Sequence, residues 1–233
     1  MKVISFKICP FVQRVTALLA AKQINYEVEY IDLMNKPQWF LNISPNGQVP
    51  VLITDSDQVL FESDAIVEYL EEIYPPLEKD ISPEQRARNR AWSYLGIKNY
   101  LVQCNAQRSP DQVTLNTRED KLKKAFLSIE KVLKPNTFFN GTSINMVDIA
   151  WLPILHRAAL IESGSGYDFL KDFPKCKQWQ KLLLSTGLAE KSVAKDFASQ
   201  FFTFYLTNNT FLGKMVKINT ELTKESKIET CQL

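Results

Sequence analysis

The stretch that decides the fold is Val3-Ile4-Ser5-Phe6-Lys7-Ile8-Cys9-Pro10-Phe11, because an apolar run ends there directly before a helical pattern over residues 12–21. The sequence predicts a β-strand, a tight turn at Cys9 and a helix with Pro10 in its first turn. A thiol at the start of a helix faces unpaired amides and the positive end of the helix dipole, and both favour an anion. We therefore expect Cys9 to have a lowered pKa and to be a nucleophilic thiolate.

The first 75 residues alternate strand and helix patterns. After the first helix, a strand over 26–31 completes a βαβ unit whose two strands are parallel. The expected continuation is an irregular segment at 37–43, a hairpin of strands at 51–54 and 58–61, and a helix capped by Ser63 and stopped by Pro75-Pro76. This pattern predicts a thioredoxin-like α/β domain with a four-stranded mixed sheet over residues 1–75.

Strand patterns disappear after Pro76, so the rest of the chain is predicted to be all-α. We expect a linker at 76–82, a helical bundle at 83–206 and a polar, poorly ordered tail at 207–233. The expected helices are one from Ser82 to about 107, one opening at Thr117, one opening at Asn145 with Asp148 in its first turn, one at 174–185 and one at 188–206.

Composition limits the class of protein. The chain has 233 residues, of which 45% are hydrophobic and 23% charged, and it has no 18-residue uncharged apolar stretch. No convincing secretory signal precedes the first strand, so we expect a cytoplasmic protein without membrane insertion. Residues 1–75 hold 5 Lys/Arg against 10 Asp/Glu, and residues 76–233 hold 23 against 16. This asymmetry favours two units, but it is too dispersed to predict nucleic-acid binding.

The cysteines are far apart in the sequence, at positions 9, 104, 176 and 231. None has metal-ligand spacing to another cysteine or to His156, so we expect no metal site and free thiols. His156 lies in an apolar helical run, where a structural role is expected. Cys9 is then the one thiol placed for chemistry, without an imidazole base.

Several motifs together resemble cysteine-type glutathione transferases of the omega class. The resemblance is carried by Cys9-Pro10-Phe11, by residues 33–40 (LMNKPQWF), by residues 45–52 (PNGQVPVL), by residues 61–66 (FESDAI) and by residues 145–150 (NMVDIA). It implies a thioredoxin-like domain followed by an all-helical domain, glutathione as co-substrate and a twofold homodimer. Asn145 stands where many relatives have serine or threonine, but asparagine caps a helix about as well.

The resemblance also implies the parts of a glutathione site. Cys9 would lie against the glutathione sulfur with Phe11 beside it, and Lys36 would meet the glycyl carboxylate. Val49 would pair with the cysteinyl backbone, next to Pro50 in the cis form. Taken alone, Lys36 is also explained as a solvated charge and Pro50 as a breaker of an edge strand.

The γ-glutamyl end of glutathione would be held by Glu62 and Ser63. Ser63 and the helix amides behind it suit a carboxylate, and Glu62 suits an α-amine. A simple helix cap is the competing explanation for Ser63.

The reaction implied is thiol transfer. A cysteine is a poor hydrogen-bond donor, so an ionised Cys9 would attack a disulfide and form a mixed disulfide with glutathione. Val12 stands where a dithiol motif has its second cysteine, so a second glutathione must resolve that intermediate. We expect reduction of mixed disulfides, dehydroascorbate or similar small acceptors, with weak conjugation of electrophiles.

Two points stay open at this stage. A noncatalytic protein of the same fold, either a transcription-linked regulator or a chloride-channel-like protein, is the alternative; Gln13 and Arg14 argue against membrane insertion of the first helix. Candidates for lining the acceptor pocket are Tyr94, Tyr100, Arg108 and Trp179.

Overall fold

The computed structural model describes residues 1–216 of the chain. Its four strands are β1 (Lys2–Ser5), β2 (Glu27–Tyr30), β3 (Val51–Ile53) and β4 (Val59–Phe61). They form one sheet in the order β2-β1-β3-β4, with β1 parallel to β2 and antiparallel to β3, and with β3 antiparallel to β4. The predicted four-stranded mixed sheet is therefore confirmed.

Three helices accompany the sheet: α1 (Pro10–Ala21), α2 (Gln38–Ile43) and α3 (Ser63–Ile73). The prediction of an irregular segment at 37–43 is wrong, because α2 occupies most of it. Pro37 begins the helix with extended backbone, and its carbonyl accepts from the Leu41 amide. Phe40 is fully buried in the core, so tertiary packing stabilises a helix too short for a clear sequence pattern.

The described part of the second half contains helices without strands: α4 (Pro83–Lys98), α5 (Tyr100–Gln107), α6 (Gln112–Glu130), α7 (Met146–Ser165), α8 (Pro174–Ser185), α9 (Leu188–Lys191) and α10 (Phe197–Tyr205). The single helix predicted up to 107 is interrupted at Asn99, whose side chain donates to the carbonyl of Leu95. The helix predicted to open at Thr117 begins earlier, because the Asp111 side chain accepts from the Thr114 amide.

The last predicted helix and the tail also differ from expectation. The helix expected over 188–206 is divided into α9 and α10. Poor order was expected from residue 207, but residues 211–216 are helical and Leu212 is fully buried. The amide of Phe211 donates to the carbonyl of Ser109 at 2.8 Å, which attaches this segment to the end of α5. Residues 217–233 of the predicted tail lie outside the described residues.

Helix α7 is the centre of the helical half, and its predicted cap is confirmed. The Asn145 side chain accepts from the amides of Val147 and Asp148, and the Asp148 carboxylate accepts from the Asn145 amide at 2.9 Å. Asp148 also accepts from the Phe139 amide at 3.0 Å and from the Trp179 indole N–H at 2.7 Å. Burial raises the pKa of Asp148 to about 6 despite these donors. The cap therefore fixes α7, which packs directly on α1.

Candidate functional site

Cys9 is positioned by the turn between β1 and α1. Its amide donates to the carbonyl of Phe6 at 3.0 Å, and its carbonyl accepts from the Gln13 amide at 3.1 Å. It is the N-cap of α1, directly before Pro10 in the first helical position, as predicted. The half-buried thiol lies 4.0 Å from the carbonyl oxygen of Val49. The turn therefore directs the sulfur toward the loop that precedes β3.

The electrostatics of Cys9 differ from the prediction. Burial raises the pKa of the thiol above its ordinary value, and this effect exceeds the opposing ones. The amides of Val12 and Phe11 and the Arg157 guanidinium lower the pKa, in that order. The predicted thiolate at rest is therefore wrong for the free protein, although the helix amides act in the predicted direction.

A cleft beside Cys9 collects most of the predicted site residues. It has a volume of about 160 Å³ and is lined by Phe11, Asn46, Gln48, Val49, Pro50, Glu62 and Ser63. The peptide bond between Val49 and Pro50 is cis, as the resemblance implied. Asn46 and Gln48 were not predicted as site residues. Both lie inside the quoted motif over 45–52, which is the signal that could have identified them.

Glu62 and Ser63 close one end of the cleft at the start of α3. Glu62 is the N-cap and has φ +67°, a conformation that costs a non-glycine residue energy. Its carboxylate accepts from the Asn46 side-chain amide at 2.8 Å. Ser63 is buried and is the first helical residue, and its side chain makes no cap hydrogen bond, so the prediction that Ser63 caps α3 is wrong. Both side chains thus lie at a helix N-terminus, and neither of them caps the helix.

Lys36 and Phe11 differ in their relation to the cleft: Phe11 lines it and Lys36 does not. The half-buried Lys36 does not line the cleft itself, but its Nζ lies at the turn that precedes it, 3.6 Å from where a β-carbon on Gly47 would be. The Phe11 ring packs edge-on against the ring of Tyr100, with centroids 5.1 Å apart. Tyr100 belongs to α5, so this contact joins the cleft to the helical half.

A buried polar network lies below Cys9. The Arg157 guanidinium of α7 donates to the carbonyl of Ile8 at 3.1 Å and to the side chain of Gln13. The Gln13 amide in turn contacts Nδ1 of His156 at 2.8 Å and Oγ of Ser192 at 3.2 Å. Burial lowers the pKa of His156 to about 3, so the ring is neutral and structural, as predicted. The network fixes the turn of Cys9 to the helical half.

The four residues that the sequence offered as lining an acceptor pocket do not lie together in one pocket. Trp179 is buried and donates to Asp148, and the Tyr100 hydroxyl donates to the Ala150 carbonyl. Tyr94 lines a different cleft, together with Arg14. The Arg108 guanidinium lies 5.2 Å from the centroid of the Phe204 ring. Phe204 belongs to an apolar cleft of about 440 Å³ whose other apolar lining residues are Phe6, Ile8, Tyr30, Ile31 and Met34.

Comparisons with known proteins agree with this geometry. A family model described as "Glutathione S-transferase, N-terminal domain" matches residues 8–73, and one described as "Glutathione S-transferase, C-terminal domain" matches residues 106–180. The chain is 33% identical over 188 residues to glutathione S-transferase omega-1 of Sus scrofa, covering 78% of this chain and 76% of that protein. It is 30% identical over 179 residues to the probable glutathione S-transferase DHAR1, cytosolic, of Oryza sativa subsp. japonica, covering 76% and 80%.

A solved structure supports the same fold. The crystal structure of glutathione transferase Omega 3C from Trametes versicolor superposes with a TM-score of 0.73 at 23% sequence identity, covering 88% of this chain and 89% of that one. A mixed sheet joined to a helical half, with a cysteine at the start of the first helix, defines a cysteine-bearing protein of the thioredoxin-like type, and the matching family models make it a transferase. The chain belongs to the glutathione S-transferase family.

The resemblance to the omega class is also confirmed by the omega-1 relative. Both matched relatives are named as transferases, so the noncatalytic alternative is not favoured. None of the helices in the part of the chain that the structure describes has the length and apolar character needed to cross a membrane.

Proposed function

We propose that this protein is a glutathione-dependent thiol transferase and reductase that works through a mixed disulfide between Cys9 and glutathione. The observation that carries the proposal is the placement of the Cys9 sulfur 4.0 Å from the carbonyl oxygen of Val49, a residue that lines the cleft directly before strand β3. An extended tripeptide held along Val49 has its cysteinyl sulfur at this position. The names of the relatives, which include omega-class transferases, support the same reaction class.

The proposed site extends from Lys36 to Ser63. Lys36 holds the glycyl carboxylate, and Glu62 and Ser63 hold the γ-glutamyl amine and carboxylate. Phe11 covers the sulfur from the side of α5, and Pro50 shapes the wall next to Val49. In this proposal residues 1–75 are the glutathione-binding domain, 76–82 the linker and 83–206 the helical domain.

The reaction begins with the Cys9 thiolate, which attacks the glutathione sulfur of a mixed disulfide between glutathione and a second thiol. A bond forms between Sγ and that sulfur, the original S–S bond breaks, and the departing thiolate takes a proton from water. The thiolate of a second glutathione then attacks the adduct and releases oxidised glutathione and the Cys9 thiolate. Val12 leaves no adjacent thiol to compete with this second glutathione.

The acceptor is a small disulfide, dehydroascorbate or an electrophile. Reduction of dehydroascorbate joins the Cys9 thiol and one glutathione in the mixed disulfide while two electrons and two protons pass to the acceptor, and a second glutathione then releases oxidised glutathione. In this proposal a hydrophobic group of the acceptor binds in the apolar cleft around Phe204. A cytoplasmic location and a homodimer belong to the same proposal; one relative is named as cytosolic.

Intact-mass measurement after incubation with oxidised glutathione tests the proposal. One glutathione adduct is expected, and peptide mapping places it on Cys9. Cys104→Ser is the matched control, since it removes another half-buried thiol and must keep the adduct. An adduct that persists in Cys9→Ala contradicts the proposal, as does a wild-type protein that forms the adduct but reduces neither a mixed disulfide nor dehydroascorbate with glutathione.

A further inference from the structure

Arg157 is a fully buried cation whose hydrogen-bond acceptors are all neutral. Its guanidinium donates to the carbonyl of Pro153 at 3.2 Å, to the carbonyl of Ile8 at 3.1 Å and to the amide oxygen of Gln13. Its Nε–H has no partner in the described residues. No Asp or Glu of residues 1–216 forms an ion pair with it. Burying a cation without an anionic partner costs free energy. A nearby group that can become negative would reduce this cost.

The groups around Arg157 that can carry negative charge come from three other elements. They are Cys9 at the start of α1, Cys104 and Tyr100 on α5, and Tyr205 on α10. Burial raises the pKa of Tyr100 and Tyr205 far above neutrality, so both hydroxyls stay protonated. Among these groups, Cys9 is the one whose sulfur also faces free helix amides, those of Val12 and Phe11.

Other charged groups near Cys9 are already paired. Lys7 lines a small cavity with Cys9, together with Tyr26 and Tyr30, and its ammonium is 2.6 Å from the Asp196 carboxylate. Arg14, near Tyr100, is paired with Asp64 at 2.5 Å. His156 is neutral. Of the three cations Lys7, Arg14 and Arg157, Arg157 is thus the one without a carboxylate partner among residues 1–216.

We propose that Arg157 is the positioning residue of the thiol chemistry: its guanidinium fixes the turn of Cys9 through the Ile8 carbonyl and is the counter-ion of the Cys9 thiolate when that anion forms. The inference rests on the proposed function for its role in turnover. In the first step the charge stabilises the attacking thiolate. In the second step Cys9 is the leaving group, and a stabilised thiolate leaves faster. One residue of the helical half therefore assists both steps without touching glutathione.

The test measures the pH profile of Cys9 alkylation by iodoacetamide in the full-length protein, with peptide mapping to read each cysteine separately. Arg157→Met is expected to move the midpoint of Cys9 alkylation up by about one pH unit, which lowers reactivity at neutral pH about tenfold. Arg157→Lys keeps a charge and is expected to have a midpoint closer to wild type. A purely structural role of Arg157 does not produce this rescue.

Two further variants separate charge from packing. Gln13→Glu keeps the shape of the side chain but places a carboxylate on the guanidinium, so it is expected to raise the Cys9 midpoint as Arg157→Met does. Phe197→Leu alters the ring 5.4 Å from the guanidinium carbon without changing any charge, and no shift is expected. Far-UV circular dichroism checks the fold of each variant, and Gln13→Glu decides the outcome if Arg157→Met does not fold.

The proposal is overturned by a Cys9 midpoint that stays at the wild-type value in folded Gln13→Glu or Arg157→Met. It is equally overturned if Phe197→Leu shifts the midpoint as much as they do, because packing would then control the thiol. Iodoacetamide alkylates the Cys9 thiolate in the absence of glutathione, so this measurement does not depend on glutathione binding. Failure of this inference is therefore distinct from failure to form a glutathione adduct.

Discussion

The sulfur of Cys9 and the carbonyl oxygen of Val49 are 4.0 Å apart, although the two residues are separated by two helices, a strand and a turn in the sequence. The parallel crossover from β1 to β2 and the antiparallel return of β3 beside β1 bring them together. The nucleophile therefore lies next to Val49, a residue that lines the cleft directly before β3. This relationship makes binding and chemistry separable by mutation, because the wall near Glu62 can be changed without changing the sulfur.

Replacement of Glu62 by glycine is expected to improve stability and weaken glutathione binding. Glycine accepts φ +67° without strain, so Glu62→Gly should raise the free energy of unfolding by about 1 kcal/mol. The loss of the carboxylate should raise KM for glutathione about tenfold with little change in kcat, because the interaction is present in the ground state. Steady-state kinetics and urea unfolding measure the two effects.

Asp57→Gly is the matched control for this prediction. Asp57 also has a positive φ, +57°, but lies in the turn between β3 and β4 and does not line the glutathione cleft. Its replacement should raise stability by a similar amount and leave KM unchanged. Equal KM values for Glu62→Gly and wild type would remove Glu62 from the proposed site.

The rate of Cys9 alkylation is expected to keep rising as the solution becomes alkaline. Only the thiolate attacks, and burial raises the pKa of Cys9 above its ordinary value. Below that pKa each unit of pH should change the rate of Cys9 alkylation about tenfold. Stopped-flow or mass-based alkylation between pH 6 and 10 measures this profile. A plateau already reached at pH 7 is the contrary result, and it would restore the lowered pKa expected from the helix terminus alone.

The success and failure of the sequence predictions have a common physical origin. The alternation of strand and helix patterns and the cap formed by Asn145 and Asp148 depend on neighbours within a few residues, so the sequence contains their signal. The pKa of Cys9 depends on burial in the folded chain, and also on Arg157 of α7 and Cys104 of α5, which are about a hundred or more residues away in the chain. Local sequence shows the helix amides and omits the burial, so it predicts the wrong direction of the shift.

Element boundaries show the same limit. The interruption at Asn99 coincides with the start of α5, where Tyr100 and Gln103 donate to carbonyls of α7 at Ala150 and Ile154. Those partners are about fifty residues away and leave no mark in the helical pattern. Likewise, the apolar cleft near Phe204 combines residues of the loop after β1, the end of β2 with the loop that follows it, and α10, so no single motif predicts it.

His156 should make the protein sensitive to acid. Its pKa is about 3 in the folded protein and about 6.5 when unfolded, so the unfolded state binds more protons between these values. Stability is present above pH 6.5 and is lost as the pH falls toward 3, by about 2 kcal/mol between pH 7.5 and pH 5. His156→Gln removes this loss, because glutamine does not titrate. Urea unfolding at the two pH values checks it; equal losses in both proteins contradict the prediction.

Asp148→Asn should be strongly destabilising although the side chains have the same shape. The carboxylate accepts three N–H groups, from Asn145, Phe139 and Trp179, and an amide has one oxygen to offer them. A buried donor is then left unpaired, at a cost of about 2 kcal/mol.

The same substitution at the exposed cap of α6, Asp111→Asn, is the matched control and should cost less than about 0.5 kcal/mol, since asparagine caps equally well. The pH dependence gives a second reading of Asp148. Its folded pKa of about 6 exceeds the unfolded value, so protonation favours the folded state. That contribution is fully present below the unfolded pKa and is lost as the pH rises through 6. The stability difference between wild type and Asp148→Asn should therefore widen as the pH falls from 7 to 5, in urea titrations of both proteins. A constant difference would mean that the three donors hold the pKa near its ordinary value.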